Sequence, residues 1–206
     1  MVHVLGRANS INVQKVVWCI TEIGIPFKRS DVGMEFGGNE TPEYLQKNPT
    51  GLIPTLEDGD FTVWESNTIV RYVSEKFGKG DWLLSSPAER AQASQWMDWY
   101  VTAMHAPMTV IFRNLIRTLG SNRDMAEVHA ATRTAVKYWT MLDNHLSDKK
   151  FVCGDLISIG DIPVGCSVYR WYTMELERPN LPHLYAWFDR LQEREAYRTH
   201  VMTPLT

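Results

Sequence analysis

Up to about Phe77 the apolar positions fall in short runs whose period switches between that of a strand and that of a helix. Val2–Leu5 reads as a strand, Val13–Ile23 as a helix and Pro26–Val32 as a second strand. Pro54-Thr55-Leu56 and Phe61-Thr62-Val63 read as two more strands. Glu57-Asp58-Gly59-Asp60 joins that last pair, and Asp-Gly between apolar runs is a strong hairpin signal. In Ser66–Phe77 the residues Ile69, Val70, Tyr72, Val73 and Phe77 recur at helical spacing. The expected order is β-α-β-(short helix)-β-β-α, and the first helix supplies the right-handed crossover that a parallel pairing of the first two strands needs.

Beyond Phe77 the pattern changes. Gly78-Lys79-Gly80-Asp81 breaks the helix, and the stretch up to Pro87 reads as a linker. From Pro87 onward almost everything has helical spacing. One long or broken helix covers Arg90–Leu119, a second Asp124–Leu146, a third opens at Ser158-Ile159-Gly160-Asp161 and runs to Tyr172, and a fourth covers Leu181–Glu193. The expected class is α+β: a mixed-sheet domain over 1–79, a linker over 80–86 and an all-helical domain over 87–206. Trp96, Met97, Trp99, Met104 and Met108 sit at helical spacing, which suits packing in the core or between subunits.

Charge and composition narrow the function classes. With 21 Lys+Arg against 24 Asp+Glu, the net charge of −3 argues against a nucleic-acid binder. Apolar runs such as Val16–Ile20 are far shorter than the about 20 residues that span a bilayer. The N-terminus lacks a basic leader, so no export and a cytoplasmic location are expected. Cys19, Cys153 and Cys166 are odd in number and lack ligand spacing, so neither a disulfide framework nor a metal site is indicated.

Three polar segments carry candidate chemistry. Asn48-Pro49-Thr50-Gly51-Leu52-Ile53-Pro54 is a turn that feeds a strand, and Pro54 at its start cannot donate to the ladder. A cis bond there would turn the backbone of Ile53 outward, as a partner for an extended peptide. Trp64-Glu65-Ser66-Asn67 marks a strand-to-helix junction, where free amides and the helix dipole suit an anionic carboxylate. Capping of its own helix is the alternative role for Ser66. In the loop Gly6-Arg7-Ala8-Asn9-Ser10-Ile11-Asn12-Val13, Ser10 and Asn12 suit either a helix cap or a donor to a bound anion at the end of the sheet.

The combination Asn48-Pro-x-Gly-x-Ile53-Pro54, Glu65-Ser66-Asn67 and Ser158-x-x-Asp161 resembles the cytosolic glutathione S-transferase family, over essentially the whole chain. The loop Gly6-Arg7-x-x-Ser10-x-Asn12-Val13-x-Lys15-Val16 is similar to bacterial members near the theta and nu classes. The resemblance implies a thioredoxin-like first domain with cis-Pro54, and an all-helical second domain. It implies that the Ile53 backbone pairs with the cysteinyl part of glutathione, that Glu65 and Ser66 hold the γ-glutamyl end, and that Asn39 reaches the glycyl carboxylate. Ser10 and Asn12 fall where relatives place the groups that stabilise the thiolate. Arg7, Met104, Met108, Phe112 and Trp171 are candidates for the pocket of a small electrophile. Ser158 and Asp161 resemble a helix-capping box, a folding role. The absence of a Tyr or Cys at the donor position argues against the alpha/mu/pi arrangement and against a mixed-disulfide mechanism. Glutathione is the implied co-substrate, without metal, and a homodimer the implied assembly. Conjugation is expected, with glutathione-dependent disulfide or peroxide reduction, or a non-catalytic binding module, as alternatives.

Overall fold

Four short strands, β1 (Val2–Leu5), β2 (Phe27–Ser30), β3 (Thr55–Asp58) and β4 (Phe61–Trp64), form one mixed sheet in the order β2-β1-β3-β4. The computed structural model describes residues 1–206. β1 runs parallel to β2, with Val2 opposite Phe27 and Leu5 opposite Ser30. It runs antiparallel to β3, with His3 opposite Glu57 and Leu5 opposite Thr55. β3 and β4 form a hairpin whose two-residue loop is Gly59-Asp60, with Gly59 at φ +62°.

Helix α1 (Ile11–Ile23) makes the crossover between the parallel strands. Its Val13, Val16, Val17, Trp18 and Ile20 are at most 3% exposed, which is the burial that the apolar run demands. It stops at Gly24, whose left-handed backbone (φ 77°) lets its N–H bond the carbonyls of Ile20 and Thr21. Helix α2 (Pro42–Lys47) is started by Thr41, whose hydroxyl accepts from Tyr44 N–H. Helix α3 (Ser66–Phe77) packs on α1 and buries Ile69, Val70 and Val73 completely.

The chain divides into two compact units, 1–85 with 196–203, and 86–195 with 204–206. Two boundaries therefore differ from the sequence expectation. Most of the 80–86 linker belongs to the first unit, because Trp82 is buried and its carbonyl accepts from Ser74 Oγ at 2.6 Å. The segment 196–203 also belongs there: Tyr197 packs edge-on against Trp18 at 4.8 Å, Gln14 donates to Thr203, and Thr21 bonds His200.

The second unit is helical. Helix α4 (Pro87–Trp99) opens with a complete capping box between Ser86 and Glu89. It runs on through a wide turn at Tyr100–Met104, helix α5 (His105–Phe112) and a second wide turn at Arg113–Arg117. The first widening precedes Pro107, which has no N–H to give and whose ring crowds the carbonyl four residues back. Helices α6 (Met125–His145), α7 (Asp161–Thr173) and α8 (Pro182–Gln192) complete this unit. Trp139, Trp171, Trp187, Tyr100, Met97 and Met104 fill its core. The short helix α9 (Glu195–His200) follows. The fold class is thus α+β, a thioredoxin-like mixed-sheet domain followed by a helical one. No helix is long and apolar enough to cross a membrane.

Candidate functional site

Within the first unit, three loop ends meet around Gly6 and Ile53. A Cβ at Gly6 would lie 2.5 Å from Val13 Cγ2 and 3.3 Å from Ile53 Cβ, so only glycine admits this approach. The Ile53–Pro54 bond is cis. No hydrogen bond engages the N–H or C=O of Ile53, which leaves a donor and an acceptor available beside the edge of the sheet.

The turn that carries Ile53 is held from behind. Asn48, 1% exposed, donates through Nδ2 to the Leu52 carbonyl (2.8 Å) and to Thr55 Oγ1 (3.0 Å). Its Oδ1 accepts from Thr50 N–H (3.1 Å) and Thr50 Oγ1 (2.6 Å). Tyr44 O–H donates to the same Leu52 carbonyl (2.6 Å) and accepts from Thr55 Oγ1 (2.9 Å). Burial pushes the Tyr44 phenol above its ordinary pKa, which keeps it a donor. Tyr44 and Thr55 were not picked out from the sequence, since only the fold brings them to Asn48. On the far side of the turn, Asn39 Nδ2 donates to the Gly51 carbonyl at 2.9 Å.

The N-termini of α1 and α3 converge. Ser10 is the N-cap residue of α1 by backbone conformation, yet its hydroxyl makes no capping bond to the helix. Asn12 Oδ1 accepts from Ser66 Oγ at 3.3 Å and from Lys15 Nζ at 2.9 Å. Neither helix has an acidic residue in its first turn, Glu65 stands at the N-cap of α3, and the Ser66–Asn12 bond brings the two positive dipole ends together. Glu65, exposed and directly before α3, has φ +70° and ψ 111°, a rare conformation for a non-glycine residue and one that clusters at functional sites. Ser66 is 6% exposed, and its N–H lies outside the ladder of its own helix. Together these groups form a surface that suits an anion with an extended peptide backbone.

Of the candidate electrophile residues, Arg7 follows Gly6 in the first unit and the other four belong to the second. Arg7 is 7% exposed, with Nη2 2.8 Å from the sulfur of Met34. Met104 and Trp171 have no exposed surface, and Met108 and Phe112 keep 4% each. Trp171 packs against Trp139 at 6.0 Å, and the Phe112 ring lies under the Arg170 guanidinium at 3.9 Å. These four side chains pack inside the helical unit. Cys19, Cys153 and Cys166 form no disulfide; burial pushes the Cys19 thiol far up and that of Cys153 up to about 11.

Asp161 is fully buried at the start of α7 and accepts from Val152 N–H, Ser158 N–H, Ser158 Oγ and Trp187 Nε1. Ser158 Oγ in turn accepts from Gly160 N–H at 3.2 Å. This network fastens α7 to α8 and the preceding loop.

Comparison with known proteins identifies the family. Residues 1–75 match the glutathione S-transferase N-terminal domain, and residues 96–195 the glutathione S-transferase C-terminal domain. The chain is 36% identical over its whole length to the glutathione S-transferase GstB of Escherichia coli, all of which it covers. It is 32% identical to a dichloromethane dehalogenase of Methylorubrum extorquens, over 86% of this chain and 66% of that protein. A theta class glutathione S-transferase from Xanthomonas axonopodis pv. citri, solved with glutathione bound, superposes with a TM-score of 0.95 at 40% identity, covering 100% of this chain and 99% of that one. With both domain models matched in order and a full-length relative of this similarity, the chain belongs to the glutathione S-transferase family of enzymes.

Proposed function

We propose that the protein binds glutathione on the first unit, stabilises it as the thiolate and directs that thiolate at a small hydrophobic or halogenated electrophile. The observation that carries this reading is the junction of the α1 and α3 N-termini, where Ser10 leaves its hydroxyl unused by the helix and Asn12 turns its oxygen toward Lys15 and Ser66. The amide Nδ2 of Asn12 is thereby left as a donor. In this reading the thiolate accepts from Ser10 O–H and Asn12 Nδ2. The Ile53 backbone pairs with the cysteinyl residue beside Pro54, Glu65 and Ser66 hold the γ-glutamyl end, and Asn39 faces the glycyl carboxylate.

The magnitudes suffice. A free thiol has a pKa of about 8.5, and lowering it by about two units takes roughly 2.7 kcal/mol of preference for the anion. One charge-assisted hydrogen bond supplies about 1.5–3 kcal/mol and a helix N-terminus about 0.3–1 kcal/mol. The thiol proton leaves to solvent, because a serine hydroxyl near neutral pH donates and does not accept it. The sulfur then forms a C–S bond as the bond from carbon to its leaving group breaks; with a halogenated substrate, halide departs with the electron pair. The likeness to a dichloromethane dehalogenase supports halide displacement as one such reaction.

The likeness to a theta class structure supports placement in the bacterial theta/nu-like group, and the family resemblance supports a homodimer. Three cysteines outside any disulfide suit a reducing, cytoplasmic setting. The test is a pH titration of thiolate absorbance for glutathione bound to the protein. A pKa well below that of free glutathione is expected; an ordinary value, or no binding at millimolar glutathione, sinks the reading.

A further inference from the structure

Lys15 is 2% exposed, a lysine inside the first unit that the reading above does not use. Its Nζ lies 2.9 Å from Asn12 Oδ1, one helical turn back on α1, and the same oxygen receives Ser66 Oγ at 3.3 Å. An ammonium has three protons and no lone pair, so the atom facing it must be an acceptor. That requirement fixes the Asn12 amide: oxygen toward Lys15 and Ser66, NH2 on the opposite side. Rotated the other way, two amide protons would face the ammonium.

We propose that Lys15 is a positioning residue. Its buried ammonium locks the Asn12 amide with the NH2 aimed at the thiolate of glutathione, and it places a positive charge directly behind that donor. Burying an ammonium is costly unless acceptors meet it, and Asn12 Oδ1 is one such acceptor. The charge adds to the positive ends of α1 and α3, whose first turns hold no acid. Among the other charged groups on these elements, α1 carries Glu22, which accepts from Trp18 Nε1. Glu65 directly precedes α3, and Arg71, Glu75 and Lys76 lie further along it.

This inference rests on the proposed thiolate site, and one experiment separates the two. Bound glutathione is titrated by thiolate absorbance in the parent, in Lys15→Gln, which keeps a donor but loses the charge, and in Lys15→Met, which loses both. The parent is expected to show a depressed thiol pKa. Lys15→Gln should raise it by about one unit, and Lys15→Met by more. The rising limb of kcat/KM against pH should move by the same amount, converging with the parent at alkaline pH, while KM for glutathione changes less than about threefold. A parent-like thiol pKa in folded Lys15→Gln overturns the proposal, whatever happens to thermal stability, and this variant decides alone if Lys15→Met does not fold. An undepressed pKa in the parent overturns the thiolate reading and this inference with it.

Discussion

Ser66 Oγ and Asn12 Oδ1, 3.3 Å apart, join the first turn of α3 to the first turn of α1. The hydroxyl has a single proton, so a ligand carboxylate at the start of α3 competes with Asn12 for it, while the Ser66 N–H is free for the ligand throughout. Ser66→Ala should therefore weaken glutathione binding by one hydrogen bond to a charged group, about 1.5–3 kcal/mol, or roughly a 10- to 100-fold rise in KM. The interhelical bond itself is long and neutral, and its loss should move Tm by only a few degrees. Glutathione saturation kinetics and calorimetry check this pair; a large fall in Tm with KM unchanged would make Ser66 a structural tie.

Ser10 occupies an N-cap position without doing the work of a cap. Replacing a capping Ser by Ala ordinarily costs about 1 kcal/mol, but here no capping bond is lost. Ser10→Ala should leave Tm within about 2 °C of the parent. It should raise the pKa of bound glutathione by one to two units, the size of one charge-assisted hydrogen bond. An unchanged thiol pKa would move the role to Asn12.

Asn48 makes four hydrogen bonds from a site 1% exposed, and every partner lies in or beside the turn that presents Ile53. Asn48→Ala leaves the Leu52 carbonyl to Tyr44 alone and strips the Thr50 donors of their acceptor. The cost should be about 2–4 kcal/mol, a fall in Tm of roughly 5–12 °C for a chain of this size. Because the loosened turn carries Ile53, glutathione affinity should fall as well, a coupling that calorimetric titration of the folded variant reads directly.

The local rules that are legible in a sequence are those with short range. The stripe Ile69-Val70-Val73 defined α3 to the residue, and Asp58-Gly59 marked the β3–β4 hairpin, because period and turn chemistry are written in adjacent positions. Helix α9 was missed: it has six residues, too few to show a period, and Tyr197 owes its place to Trp18, far upstream in the chain. The wide turn before α5 has a sequence cause in Pro107, whereas nothing local marks the one at Arg113–Arg117. In the site, residue types pointed to Ser10, Asn12 and Ser66. The unused Ser10 hydroxyl, the Glu65 backbone and the burial of Lys15 depend on how α1 and α3 meet. Helical spacing turned Met104 and Trp171 inward, but it carries no information on whether inward means a ligand or another side chain.

Asp161 ties the stability of the helical unit to pH. Burial pushes its carboxyl from an ordinary value near 3.8 up to about 6, against four donors that favour the anion. Between those two values the folded chain holds a proton that the unfolded chain has released, so stability from this group is full below about pH 4 and is lost as pH rises through 6. A shift of this size amounts to about 3 kcal/mol in all, of which roughly 2 kcal/mol falls between pH 4.5 and 7.5. Asp161→Asn does not titrate, and its NH2 meets N–H donors, so the variant should be less stable throughout. The informative quantity is the difference between parent and variant, measured by denaturant unfolding across that range. It should shrink by about 2 kcal/mol as pH rises. Growth of the difference with pH would mean that the four donors outweigh burial and hold the carboxyl below its ordinary value. Asp161 would then stabilise the fold as a hydrogen-bonded anion, and its loss would be felt most at neutral pH.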